Sequence, residues 1–138
     1  MKKREPISHI MTKNVHFVNQ NDTLQTAVNM IKTENIHHLP VMNGNSVVGI
    51  ISSTDINRLT FGNLYQNQEG SEAAVVSSLT IEQVMTAQPR VVNAEDSIKE
   101  VAEVFAEAHF HALPVLENNQ LVGIVTTTDM IKYLIEQY

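Results

Sequence analysis

The chain has 138 residues, a net charge of −6, 43% hydrophobic residues, and neither cysteine nor tryptophan. That length allows one ordinary domain or two very small ones, burying about two-thirds of the unfolded surface around an aliphatic core. The acidic balance excludes the broad basic face that nucleic acid or an anionic membrane requires. Without cysteine there is no disulfide, thiolate metal site or cysteine nucleophile. No apolar run approaches a membrane span, so a soluble cytoplasmic protein is expected, and Lys2-Lys3-Arg4 reads as a solvated terminus.

In chain order, Ile7–Thr12 reads as a short helical turn leading into an extended segment, Val15–Val18. Thr23 is a candidate cap for a helix whose Leu24, Ala27, Val28 and Ile31 fall on one stripe. A hairpin follows: Leu39–Met42, a turn at Asn43-Gly44-Asn45, then Val47–Ile51, with Pro40 suggesting an edge or entry position. A further helix begins near Asp55 and carries Ile56 and Leu59. Phe61 to Ser78 reads as a polar connection that frays in part, with Ala73-Ala74-Val75-Val76 as a short apolar contact to one of the halves.

The pattern then starts again. Ile81–Thr86 repeats the turn, and Arg90–Val92 the extended segment, with Pro89 fitting an extended entry. Ser97 and Glu100 form a capping-box pattern before Ile98, Val101, Ala102 and Phe105. Leu113–Leu116, Glu117-Asn118-Asn119 and Leu121–Val125 repeat the hairpin, and the last helix begins near Asp129 with Met130, Ile131, Leu134 and Ile135. Met11 and Met85, Pro40 and Pro114, Gly49 and Gly123, and Asp55 and Asp129 share one offset of 74 residues, without a gap from Ile7 to Arg58. The chain is therefore an internal repeat, with boundaries read as 1–62, a linker over 63–78, and 79–138. A unit of about 55 residues is small to stand alone, so two units packed through their sheets are expected, with clefts between the repeats.

The stretches Gly49-Ile-Ile-Ser-Ser-Thr-Asp55 and Gly123-Ile-Val-Thr-Thr-Thr-Asp129 each read as a buried strand running into a helix start. Backbone N–H groups and hydroxyls there suit an anion, and the aspartate can accept two hydrogen bonds from vicinal sugar hydroxyls. Ser52 with Asp55 and Thr126 with Asp129 also have the spacing of a capping box. A cap and a ligand contact are compatible at the same residues.

On Met11-Thr12 and Met85-Thr86, His37-His38-Leu39-Pro40-Val41 and His111-Ala112-Leu113-Pro114-Val115, and the two Gly-to-Asp stretches, the chain resembles a tandem pair of cystathionine-β-synthase (CBS) domains, a Bateman module. The resemblance spans nearly the whole chain, from Ile7 to Leu134. It implies an α/β fold, α+β-like, of two pseudo-twofold-related βαββα repeats packed through their sheets. It implies a regulatory role and no enzyme activity, with AMP, ADP, ATP or S-adenosylmethionine bound in the clefts and no cofactor required. It also implies a homodimer and a regulated partner protein of unknown identity.

Carried over by position, Asp55 and Asp129 would hold ribose hydroxyls, and Ser52, Thr54, Thr126 and Thr128 would contact ribose or phosphate. His37, His38 and His111 would lie near phosphates, and Val15, His16, Pro89 and Arg90 would line the adenine pocket. One departure is Ala112, which stands opposite His38 in the repeat where the family often has arginine. That favours a monophosphate or a neutral or cationic adenosine derivative over a polyphosphate, and makes the two sites inequivalent.

Other constellations are weaker. His37-His38 and His109-x-His111 suggest a metal-responsive sensor only if carboxylates accompany them, and no cluster does. There is no nucleophile elbow, no G-x-G-x-x-G and no P-loop. The methionines read as core filler. The alternative from another class is a structural dimerisation or docking module whose clefts are unused.

Overall fold

A computed structural model describes residues 4–65 and 72–138. The chain forms a mixed α/β structure that divides into two compact units, a contiguous one, His16–Pro89, and a split one, Met1–Val15 with Arg90–Tyr138.

In the contiguous unit the apolar stripe becomes helix α1 (Leu24–Thr33), with Leu24, Ala27, Val28 and Ile31 all buried. Thr23 caps it through Oγ1, which accepts from the Thr26 N–H at 3.2 Å. The sheet runs β1-β2-β3-β4, from β1 (Val18–Asn19), β2 (His38–Asn43), β3 (Ser46–Ser52) and β4 (Thr86–Ala87). Strand β1 is parallel to β2, and β2–β3 is an antiparallel hairpin closed by Gly44-Asn45. Helix α2 (Ser53–Tyr65) leaves β3 directly, and helices α3 (Glu72–Ser78) and α4 (Ile81–Val84) complete the unit. The core gathers Val18, Leu24, Val28, Leu39, Ile51 and Ile81, with the helices on the sheet.

The split unit repeats this plan with three strands, β5 (Val92–Asn93), β6 (Ala112–Glu117) and β7 (Gln120–Thr126), in the order β5-β6-β7. Helix α5 (Ile98–Glu107) is capped by the Ser97 hydroxyl, which accepts from Glu100 N–H at 3.0 Å, and α6 (Thr127–Glu136) follows β7. A 3₁₀ turn at Ile7–His9 buries Ile7 in this unit's core beside Val101, Leu113 and Val125. No described helix is long and apolar enough to cross a membrane.

The units do not coincide with the sequence repeats. Each Met-Thr segment pairs with the hairpin of the other repeat: Thr86 and Ala87 with Ile50 and Gly49, and Thr12 with Ile124 through backbone bonds of 2.8 and 3.0 Å. Glycine explains the fit. A β-carbon on Gly123 would lie 2.5 Å from Met11 Sδ, and one on Gly49 would collide with Met85 Sδ. Two of the methionines read as core filler, Met11 and Met85, thus have an address, over the glycine of the partnering strand.

Other expectations are corrected. The supposed linker over 63–78 is in good part helical: α2 runs to Tyr65, and α3 packs on α1 and α2 with Val76 only 2% exposed in the core. The expected fraying falls partly on residues 66–71, outside the described residues, as do Lys2 and Lys3. The extended segments shrink to Val18–Asn19 and Val92–Asn93, which pair only with Val41–Met42 and Val115–Leu116, where each hairpin has an irregularity in register. Pro40 lies in a strand flanked on both sides, and β1 begins pairing one residue beyond it, so its missing N–H is tolerated. Helices α2 and α6 start two residues before the aspartates, because Ser52 and Thr126 are the caps.

Candidate ligand site

In the contiguous unit, β3 ends at Ser52 and α2 begins at the next residue. Ser52 N–H donates to Asp55 Oδ2 at 2.9 Å, and Asp55 N–H donates to Ser52 Oγ at 3.0 Å. This reciprocal box fixes the carboxylate at the positive end of the helix. His38 lies directly opposite Ser52 in the β2–β3 ladder. The His37 carbonyl accepts from Ser53 N–H at 2.8 Å, and its Nδ1 lies 3.4 Å from Ser53 Oγ. Thr54 is exposed. The other oxygen of Asp55, Oδ1, faces Arg58 Nη1 at 4.0 Å.

The split unit builds the same corner with different neighbours. Thr126 N–H donates to Asp129 Oδ2 at 3.0 Å, and Asp129 N–H donates to Thr126 Oγ1 at 3.1 Å. Thr12 adds a long hydrogen bond, its hydroxyl donating to Asp129 Oδ2 at 3.5 Å. Buried Ala112 stands opposite Thr126, the exposed His111 gives its carbonyl to Thr127 N–H at 3.0 Å, and Thr128 is exposed. A tie also anchors the N-terminal segment to α6: Tyr133 OH donates to Glu5 Oε1 at 3.1 Å, and His9 Nδ1 lies 3.2 Å from Glu5 Oε2. Burial, then the hydrogen bond and negative charge of Glu5, push the Tyr133 phenol above its ordinary value.

Within each unit, then, the strand ladder and the cap bring together His37, His38, Ser52 and Asp55 in one, and His111, Thr126 and Asp129 in the other, while Thr54 and Thr128 share only the helix start. Val15, His16, Pro89 and Arg90 lie where the chain passes from one unit to the next. Among the described residues no hydrogen bond joins His16 or Pro89 to the Ser52–Asp55 corner. Arg90 lines a groove of about 300 Å³ with Asp96, Glu100 and Glu103. A cavity of about 560 Å³ in the contiguous unit, between the α1 start and Val76, Leu79 and Thr80, touches none of the candidates. No group of three or more His, Cys, Asp or Glu among the described residues could hold a metal ion.

Two residues escaped the sequence reading. Thr12 served only as a landmark of the Met-Thr motif, although its hydroxyl reaches Asp129. Arg58 served only as the end of the gapless repeat register, although its spacing of three from Asp55 is that of a helical ion pair.

Among known proteins, a homoserine O-acetyltransferase of Methanococcus vannielii is 29% identical over 126 residues, covering 90% of this chain and 24% of that relative. The chain spans between 24% and 48% of the length of several curated relatives that it matches. The CBS domain pair of protein MJ0100, solved in complex with 5′-methylthioadenosine and S-adenosyl-L-methionine, is similar at a TM-score of 0.78 and 25% identity, over 96% of this chain and 98% of that one. CBSX2, solved in complex with AMP, shares the fold at a TM-score of 0.75 and 22% identity, with 96% and 98% covered. The CBS domain model matches residues 7–61 and 81–136, one segment for each repeat. Two helix-start corners, two hairpins and two family matches in a single register agree: the chain belongs to the CBS domain family.

Proposed function

We propose that the chain is a regulatory, non-catalytic module that binds an adenosine-type ligand at its Ser/Thr-Asp corners and passes the binding to a partner protein. AMP, ADP, ATP and S-adenosylmethionine are the ligands to consider, in a cytoplasmic setting. The observation that carries this reading is the duplicated carboxylate, which at both helix starts has Oδ2 tied to its own cap, while Oδ1 faces Arg58 at Asp55 and meets no described donor at Asp129. That is the geometry a ribose diol needs, an acceptor held still before the ligand arrives. The likeness to the MJ0100 pair, bound to two adenosine derivatives, supports the ligand class.

A thermal-shift panel of AMP, ADP, ATP, S-adenosylmethionine and NADH tests the reading. Stabilisation by at least one of them, reduced by Asp55→Ala or Asp129→Ala, is expected. Silence toward the whole panel overturns it.

The proposal includes a homodimer, on the strength of a stripe on α6. Ile131, Leu134 and Ile135 follow helical spacing and are 57%, 45% and 66% exposed. Sedimentation of the wild type as a dimer, and of Ile135→Glu as a monomer, is the expected outcome. A monomeric wild type rejects it.

A further inference from the structure

The two corners differ in the charge beside the carboxylate. Arg58 is 76% exposed and reaches back along α2 so that Nη1 lies 4.0 Å from Asp55 Oδ1, while Oδ2 is held by the Ser52 N–H. At the matching place in the split unit stands Lys132. There Asp129 Oδ2 takes both the Thr126 N–H and the Thr12 hydroxyl, and no described donor reaches Oδ1. We infer that Arg58 makes the Asp55 corner select a phosphate-bearing nucleotide over the free nucleoside, an inference that rests on the function proposed above.

The two oxygens of Asp55 stand in different surroundings. A ribose diol that engages both carboxylate oxygens takes Oδ1, the oxygen facing Arg58, because Oδ2 already accepts the cap N–H and has less capacity left. An exposed ion pair on one helix turn is weak, so it keeps the guanidinium near without locking it. A neutral nucleoside would displace Arg58 and offer it nothing in return. A nucleotide takes the carboxylate with its sugar and offers a phosphate to the released guanidinium, whose planar fork binds phosphate through two parallel hydrogen bonds. His37, whose Nδ1 lies 3.4 Å from Ser53 Oγ, adds further polar groups at the same helix start. The arginine missing from the His38 position is thus supplied from the helix. At the Asp129 corner Lys132 has no such fork, and Oδ1 is open to a diol without displacing anything, which suits neutral adenosine derivatives.

The test is calorimetric titration of AMP and of adenosine into the Asp129→Asn protein, with and without Arg58→Ala or Arg58→Lys. Thermal melts of each variant establish folding, which an exposed arginine should barely affect. AMP is expected to bind about tenfold more tightly than adenosine, the scale of one charge-assisted pair. Arg58→Ala should erase that ratio, mainly by weakening AMP with at most a small gain for adenosine, and Arg58→Lys should keep part of it. An unchanged ratio in Arg58→Ala overturns the inference and leaves the proposed function standing. Wild-type binding of AMP that disappears in Asp129→Asn also overturns the inference. Binding of neither ligand to the wild type, with silence toward the other adenosine compounds, removes the proposed function itself.

Discussion

Met85 occupies the space over the α-carbon of Gly49 that any side chain at that position would need. This contact joins two motifs 36 residues apart, as the pairing of β4 with β3 brings Thr86 beside Ile50. Gly49→Ala is therefore expected to cost about 1–3 kcal/mol by overpacking. Met85→Ala should recover much of that loss in the double variant, a coupling that urea unfolding measures. At Gly123 the recovery by Met11→Ala should be smaller, because a β-carbon there also meets the Thr12 carbonyl oxygen at 3.0 Å, and backbone cannot step aside. Additive losses at both pairs would contradict the packing described.

The caps give a second prediction. Ser52 and Thr126 each accept an N–H from the aspartate three residues on. Ser52→Ala and Thr126→Ala should each lower stability by about 1 kcal/mol. Asp55→Ala and Asp129→Ala remove the other half of each box, so ligand-free melting temperatures of all four variants separate capping from ligand binding.

A third concerns pH. The Tyr133 phenol is held above its ordinary value of 10.0 by burial and by Glu5. A group whose folded value is raised contributes stability that is fully present below its unfolded value and is lost as pH rises through the folded one. Melting temperatures measured from neutral to about pH 11 should fall more steeply in the wild type than in Tyr133→Phe, with the curves parallel below pH 10. Parallel curves throughout would mean that the Tyr133–Glu5 bond does not persist in solution.

A fourth uses the division into units. A fragment spanning His16–Pro89 contains the four-stranded sheet, Val76 and Ile81. It should unfold cooperatively by itself. A fragment ending at residue 62, at the repeat boundary read from the sequence, lacks Val76, Ile81 and β4, and should not. Circular dichroism against urea distinguishes them.

Much of this was legible in the residues. The stripes of α1 and α5, both hairpins, and Thr23 and Ser97 as caps follow from local spacing and hydrogen-bonding chemistry, and the structure repeats them. The crossing of the Met-Thr segments was not legible. Internal similarity aligns each residue with its own copy and is silent on which copy's strand it will meet. Helix α3 was hidden because seven residues offer too little periodicity beside so many polar neighbours. The inequality of the two corners was anticipated at His38 and Ala112, but half of it lies in Thr12 and Arg58, whose partners only folding reveals.

The crossing also sets an order in time. In the contiguous unit the Met-Thr strand closes a loop from Ile50 to Thr86, whereas in the split unit the same contact joins Thr12 to Ile124, 36 and 112 residues apart respectively. From an open chain, the longer closure costs about 1 kcal/mol more in chain entropy. It falls to nearly the shorter value once the intervening stretch has collapsed. The middle of the chain should therefore acquire hydrogen-exchange protection first, and the Asp129 corner should be the last part to mature, waiting on the far N-terminal segment to return.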